Sequence, residues 1–379
     1  TIPSALSTGR AEGIANRQSN NNKTKNKTTT MAHKINLPYD MVFSTVSREW
    51  HKLANLVPVI NREVIRPILF PIVEGEITIS LDGEKVTLDN QKALVADYRF
   101  RDDIPEGQRI QPLSVMGKDY HVIDNSKSLE VVETAIRDYG LDAKIVTAGS
   151  VRSGKSFFLS LVQDDSSTEI QSGDTWDFHL SLATSHDGTD SWNFYTSGFR
   201  TVCWNTLRAS LDAADTRAKI YHTKNANLQL DSMPEIIMAF RNQKSDMVEA
   251  LTYLAGIKCD FTKARRLVAG YFAGFQGLRD DKKVSTRTSN STDEILSLFR
   301  AGKGNRGETM YDLLNGVTEH YTSGQGTGKS ANGGDKAFRA EFGSAAEHKE
   351  RFMGMLRDAD SRERTEERGA KALLAGSVN

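Results

Sequence analysis

The sequence predicts an α+β fold: an antiparallel β-meander flanked by helices, followed by a helical C-terminal region. Three observations predict it. Large apolar residues alternate with period two between residues 144 and 200, with glycine-bearing turns between the runs. A helical stripe precedes that stretch, at Leu129, Val132, Ile136 and Tyr139, and Gly140 stops it. From Ser232 onward the apolar spacing is helical. A chain of 379 residues holds one large domain or two ordinary ones.

Residues 1–41 read as a disordered basic arm. "NRQSNNNKTKNKTTT" has too little apolar surface to offset its ordering entropy. It is a solvated tail, or an extension upstream of a start at Met31, rather than a nucleic-acid contact. The core spans 42–225. Ser44 to Asn55 suggests a short helix leading into a proline-rich segment. "EITISLDGEKVTL" predicts a hairpin turning at Asp82-Gly83, because both central positions of a type I′ turn need φ > 0. "KALVADYRFR" follows as a strand.

Four strands are expected across residues 144–200. In the second pair Trp176, Phe178, Leu180 and Leu182 share a face, as do Trp192, Phe194 and Thr196. A three-residue loop, Asp187 to Thr189, sets Leu182 opposite Phe194 and aligns the two faces, with Gly188 or a neighbour left-handed. A helix is then expected from Thr201 to Ala218, with Cys203, Leu207, Leu211 and Ala214 as its stripe.

The helical region spans 226–322. Ser232 to Glu235 reads as a capping box opening a long helix to Ile257. A second helix follows Asp260, and Ser291 to Glu294 caps a short third. Met310, Leu314, Val317 and Tyr321 stripe a fourth. Residues 323–379 read as a Gly/Ser linker and a charged, solvated tail helix.

"GSVRSGKS", Gly149 to Ser156, matches a phosphate-binding loop. Such a loop needs a helix after it, so that the helix N-terminus meets the phosphates. Here "FFLSLV" follows, which is strand-like, and Ser153-Gly154 sits where a hairpin turn belongs. No aspartate-ended strand follows at a useful distance to hold magnesium. "GQGTGKS", Gly324 to Ser330, lacks the first glycine and lies in the linker. Neither string is taken as an ATPase motif.

Lys and Arg total 49, as do Asp and Glu, so a globally basic nucleic-acid binder is not indicated. Two cysteines imply no disulfide framework and fit a reducing cytoplasm. No apolar run reaches the length of a membrane span, and no leader segment is read. The charge is uneven, however. Lys258 to Arg306 holds eleven Lys and Arg against five acids, whereas Leu141 to Asn225 holds eight against ten. A phosphate backbone is the obvious partner for the first stretch.

"LSVMGKDYHVIDN", "TAGSVRSGKSFFLSL", "SHDGT", "FRTVCWNTL", "IYHTKN" and "GNRGETMYDLLNGVTEHY" together resemble a phage- and plasmid-borne family known mainly as a domain of unknown function. The resemblance covers Val42 to Thr322. It implies a hairpin at "SVRSGK". Where that family often shows Arg-His-Thr, this chain has Tyr221-His222-Thr223, which removes one basic group. The order helix, strands, helix also resembles the core of single-strand DNA annealing proteins. That likeness implies a groove for single-stranded DNA and a homo-oligomeric ring or filament.

The expected function is therefore a single-stranded DNA-binding, annealing-like recombination protein, a role that needs no chemistry, with no cofactor, no metal and no membrane partner. Annealing needs a groove that holds phosphates and leaves base edges free. Arg200 and Arg208, with Arg152 and Lys155 in a nearby turn, are the expected phosphate contacts. Asn205 is expected to hydrogen-bond the backbone. Lys224, Lys263, Arg265, Arg266, Lys282 and Lys283 extend the basic set. Two alternatives stay open: a metal- or cysteine-dependent nuclease or hydrolase using His186, Asp187, Cys203 and His222, and a protein-interaction module.

Overall fold

β-Branched and aromatic residues alternate most densely between residues 144 and 200, and that stretch builds the middle of the largest sheet. The computed structural model describes residues 39–45, 54–202, 205–208, 217–239, 243–275, 285–324 and 338–377. The first strands are β1 (Met41–Ser44), β2 (Asn55–Leu56), β3 (Ile72–Gly75), β4 (Thr78–Leu81), β5 (Glu84–Thr87), β6 (Gln91–Asp97) and β7 (Ile110–Gly117). Helix α1 (Asn125–Asp138) follows, then β8 (Lys144–Val151), β9 (Ser156–Gln171), β10 (Asp174–Ser185), β11 (Trp192–Arg200), β12 (Asn205–Arg208) and β13 (Arg217–Ile220). The rest is helical: α2 (Ala226–Asp231), α3 (Met233–Ala239), α4 (Gln243–Gly256), α5 (Phe261–Phe275), α6 (Thr286–Ala301), α7 (Met310–Thr322), α8 (Ser344–Arg357) and α9 (Ala359–Ser377). This is the α+β architecture expected.

The main sheet has the order β12-β11-β10-β9-β8-β1-β2, and β13 pairs with β11 as well. All its pairings are antiparallel except β1 with β2. A three-stranded sheet, β3-β6-β7, and the β4–β5 hairpin stand apart from it. That hairpin turns at Asp82 (φ 51°) and Gly83 (φ 90°), the two positive values a type I′ turn requires.

Leu182 lies opposite Phe194, the register expected from matching faces, and Gly188 is left-handed at φ 73°. The connection is longer than three residues, because β10 ends at Ser185 and β11 begins at Trp192. The apolar face of β10 is also divided. Leu180, Leu182, Trp192 and Phe194 pack with Leu129, Val132 and Ala135 of α1. Trp176 and Phe178 pack instead against α4 to α8. A register shift between Asp177 and His179 marks the change. Tyr195, which alternates with Phe194 and Thr196, is buried on the opposite face with Phe158, Phe338 and Phe342.

Where a helix was expected over Thr201 to Ala218, the described residues form strands β12 and β13 instead. β12 pairs with Ser197–Arg200, and β13 pairs with Trp192–Tyr195, so the two lie along one edge of β11. Thr206, Leu207 and Arg208 are all buried, and a four-residue strand is too short to show an alternation, so the 3–4 spacing of apolar residues misled. Cys203 and residues 209–216 lie outside the described residues. So do 46–53; the expected helix there is not formed at its ends, which are strands β1 and β2.

Further corrections concern the helices. Where one long helix was expected from Ser232, the described residues form α3 and α4, and residues 240–242 lie outside the described set. The Ser232 hydroxyl donates to the Gln229 carbonyl. α6 starts at Thr286, where Ser285 accepts from the Thr288 N–H, not at Ser291. α7 carries a capping box between Thr309 and Asp312, and its expected stripe is buried. The charged tail is not a solvated helix. Phe352, Met353 and Leu356 of α8 are buried in the helical core, and α9 packs along α5. Most of the expected linker lies outside the described residues.

Candidate functional site

The phosphate-loop string is a hairpin turn. β8 ends at Val151 and β9 begins at Ser156, with Arg152 (φ 61°), Ser153 (φ 60°) and Gly154 (φ 83°) all left-handed. Two non-glycine residues in that region need outside support. Asp40 Oδ1 accepts the Ser153 N–H at 2.6 Å. The Arg152 guanidinium donates to Ser156 Oγ (3.0 Å), Thr189 Oγ1 (2.8 Å) and Asp187 Oδ2 (2.8 Å). Arg152 thus ties the β8–β9 turn to the β10–β11 loop. Burial raises the Asp187 carboxyl, but its bonds to Thr189 and the charge of Arg152 outweigh that and hold it below the usual range. Lys155, in the same turn, is half-buried, and its backbone carbonyl accepts from His186 N at 2.7 Å.

Three of the quoted strings converge beside this turn. His186 is fully buried, with Nε2 2.8 Å from Asn125 Oδ1. Ser114 Oγ donates to the His186 carbonyl and Tyr120 Oη to that of Ser185. His222 stacks on Tyr120, with ring centroids 4.7 Å apart, and its Nδ1 lies 3.0 Å from the His121 carbonyl oxygen. Burial pushes His186 down to about 3, and His222 adds to the shift. The ring is therefore neutral at ordinary pH. His186 bonds an amide rather than a carboxylate, and Asp187 is engaged with Arg152. Among the described residues no three His, Cys, Asp or Glu side chains gather as metal ligands would. This cluster locks the loops at one end of the sheet. His186, Asp187 and His222 stand out singly as hydrolase candidates; that they share one structural cluster is signalled only by the co-occurrence of the strings.

The two arginines expected to lead the phosphate contacts point inward. Arg200 has no exposed surface and donates to both carboxylate oxygens of Asp174 (2.8 and 2.5 Å), to the Lys303 carbonyl and to Asn305 Oδ1. Tyr311 Oη donates to Asp174 Oδ2 at 2.8 Å and accepts from Trp176 Nε1 at 2.7 Å. The network joins "FRTVCWNTL" to "GNRGETMYDLLNGVTEHY" and fastens the sheet to α7. Arg208 is buried over the Tyr195 ring and paired with Glu350 of α8 at 2.5 Å. The backbone of Asn205 opens β12; its side chain is outside the described set.

The remaining basic residues separate into groups. Lys282 and Lys283 lie outside the described residues. Lys224 is exposed near Tyr221, itself 61% exposed, with Lys219 Nζ 4.6 Å from the Tyr221 ring centroid. Arg266 reaches Glu366 of α9 at 3.4 Å, and Arg265 is exposed on α5. Lys263 belongs to the largest group. Lys258 bridges to Thr309, Cys259 N donates to the Glu308 carbonyl, and Met310 N to that of Ile257. The Arg300 guanidinium stacks on Phe261 at 3.7 Å. These contacts bring the start of α5, the end of α6 and the 302–309 loop together. Lys258, Arg300, Lys303 and Arg306 are exposed there, with Lys263 half-buried, against the acids Asp260 and Glu308. Two further acids lie nearby: Asp312 is buried and spent on the N–H groups of Arg306, Glu308 and Thr309, and Glu319 is half-buried beside Lys303. Arg300, Lys303 and Arg306 went unnoticed individually because 37 or more residues separate them from Lys263.

A family model described as a domain of unknown function, DUF932, matches residues 112–366, and the chain belongs to that family. The match runs from β7 into α9 and takes in the buried arginine networks and the whole basic face. Neither a curated protein nor a solved structure matches the chain. Among the described residues no helix is long and apolar enough to cross a membrane.

Proposed function

We propose that this DUF932 member binds single-stranded DNA through its phosphates, as the holding step of strand annealing. The observation that carries the reading is the gathering of Lys258, Lys263, Arg300, Lys303 and Arg306 on one surface, more cations than the nearby acids Asp260, Glu308 and half-buried Glu319 can offset. Long, exposed side chains of one sign suit a flexible polyanion and discriminate little between base sequences. Annealing requires that indifference, because base edges must stay free to pair. The track is thus on the helical region, not on the meander, whose leading arginines are turned inward. Several copies side by side, as in a ring or filament, would extend it.

The test is binding of the full chain to single- and double-stranded oligonucleotides at two salt concentrations. Tighter binding to the single strand, weakening steeply with salt, is expected. No affinity for either at low salt would remove the proposal and favour a protein-interaction role.

A further inference from the structure

A cleft of about 470 Å³ opens where the two end loops of the main sheet meet the segment before α8. Arg152, Thr189 and Asp190 form one wall, and Phe338, Arg339, Ser344 and Glu347 the other. Its volume falls within the range of about 300–1,000 Å³ common for small-molecule sites. Its lining is mixed: two guanidiniums, two carboxyls, two hydroxyls and an aromatic side chain.

The mixture limits what can fill it. A simple anion would meet Asp190 and Glu347, and a simple cation would meet Arg152 and Arg339. A ligand that carries a negative group together with hydrogen-bond donors matches both kinds of side chain. A small zwitterion such as an amino acid would leave much of the volume empty. Arg152 is held in place by its bonds to Ser156, Thr189 and Asp187, so its guanidinium is oriented before any ligand arrives. Asp190 is half-buried, which pushes its carboxyl up to about 6 and partly shields its hydrogen bonds from water.

We propose that this cleft binds a nucleoside 5′-monophosphate unit, with the phosphate between Arg152 and Arg339 and the sugar and base donors toward Asp190 and Glu347. The unit has two sources, a free nucleotide or the phosphorylated end of a DNA strand. The proposal does not depend on the basic face, which is built from other elements.

Calorimetric titration of the full chain with dAMP, deoxyadenosine and inorganic phosphate tests it. Saturable dAMP binding is expected, with both fragments weaker. Arg339→Ala should weaken dAMP by about tenfold or more, as loss of a charged hydrogen bond does. Glu347→Gln, at an exposed position, should weaken it less and guards against misfolding of the first variant. Lys303→Ala/Arg306→Ala should leave dAMP affinity unchanged even where it reduces strand binding. A preference for 5′-phosphorylated over 5′-hydroxyl oligonucleotides, lost in Arg339→Ala, assigns the strand end as the source; dAMP binding without that preference assigns the free nucleotide. Absence of saturable dAMP binding together with no end preference overturns the proposal, as does binding that both variants leave intact.

Discussion

Arg200 and Asp174 form a two-point ion pair with no exposed surface on the arginine, and Tyr311 donates to the same carboxylate. Breaking such a pair from one side strands a buried charge, at a cost of about 3–5 kcal/mol. Arg200→Ala should therefore lower stability by about that amount in denaturant titrations. Arg200→Lys should also destabilise, because an ammonium cannot reproduce the fork that reaches Asp174, Asn305 and the Lys303 carbonyl. Retention of full stability in Arg200→Ala would show that the arginine is not a structural member.

Gly270 of α5 and Gly369 of α9 set how closely those helices approach. A Cβ on Gly270 would overlap the Thr365 carbonyl, and one on Gly369 would overlap the Arg266 carbonyl. Gly270→Ala should destabilise by about 1–3 kcal/mol despite alanine's better helix propensity. Thermal unfolding reads the outcome; a stabilised variant would show that α9 docks loosely.

His186 is neutral in the fold, with its pKa lowered to about 3. The unfolded chain takes up its proton near pH 6.5, so this contribution is complete above that pH and is lost on acidification toward about pH 3. Stability should fall by about 1.4 kcal/mol per pH unit from this group across that window. His186→Gln should make the acid limb shallower. An unchanged limb would mean that the ring is not buried as described.

Lys349 lies fully buried, with Nζ 2.5 Å from Thr206 Oγ1 and 3.2 Å from Thr322 Oγ1, and burial pushes it down to about 7. Its folded value is below its unfolded value, so its contribution grows as pH rises from about 7 toward 10.5 and is lost as pH falls through 7. Lys349→Met should flatten stability against pH between about 7 and 10, in denaturant midpoints taken at each pH.

The sheet was legible because large apolar side chains alternate with small or polar ones along β10, although both of its faces are largely buried. Leu182 opposite Phe194 followed from matching two faces, and the Asp82-Gly83 turn from its dipeptide. The strand at Thr206 to Arg208 was not legible, since a four-residue strand is too short to show an alternation. Nor was the fate of Arg200. An arginine after a strand looks the same whether its partner is a phosphate or an aspartate 26 residues upstream. The charged tail misled for a related reason. α8 buries Lys349 and pairs Glu350 with Arg208, so polar residues face the core and hide the amphipathic pattern. The basic face was visible as a charge excess, but its shape depends on the pairing of Lys258 with Thr309, which no local spacing encodes.

The central claim is that exposed cations at the α5–α6 junction, and not the buried sheet arginines, hold single-stranded DNA. The most direct measurement is the slope of log affinity against log salt for a fluorescent single-stranded oligonucleotide. Each phosphate contact contributes about −0.7 to that slope. The variant with Lys258, Lys303 and Arg306 all changed to alanine should be shallower by about 2, with its fold confirmed by unchanged unfolding. Arg200→Lys, where it remains folded, should keep the wild-type slope. A triple variant with the wild-type slope, or a shallower slope in Arg200→Lys alone, would contradict the account.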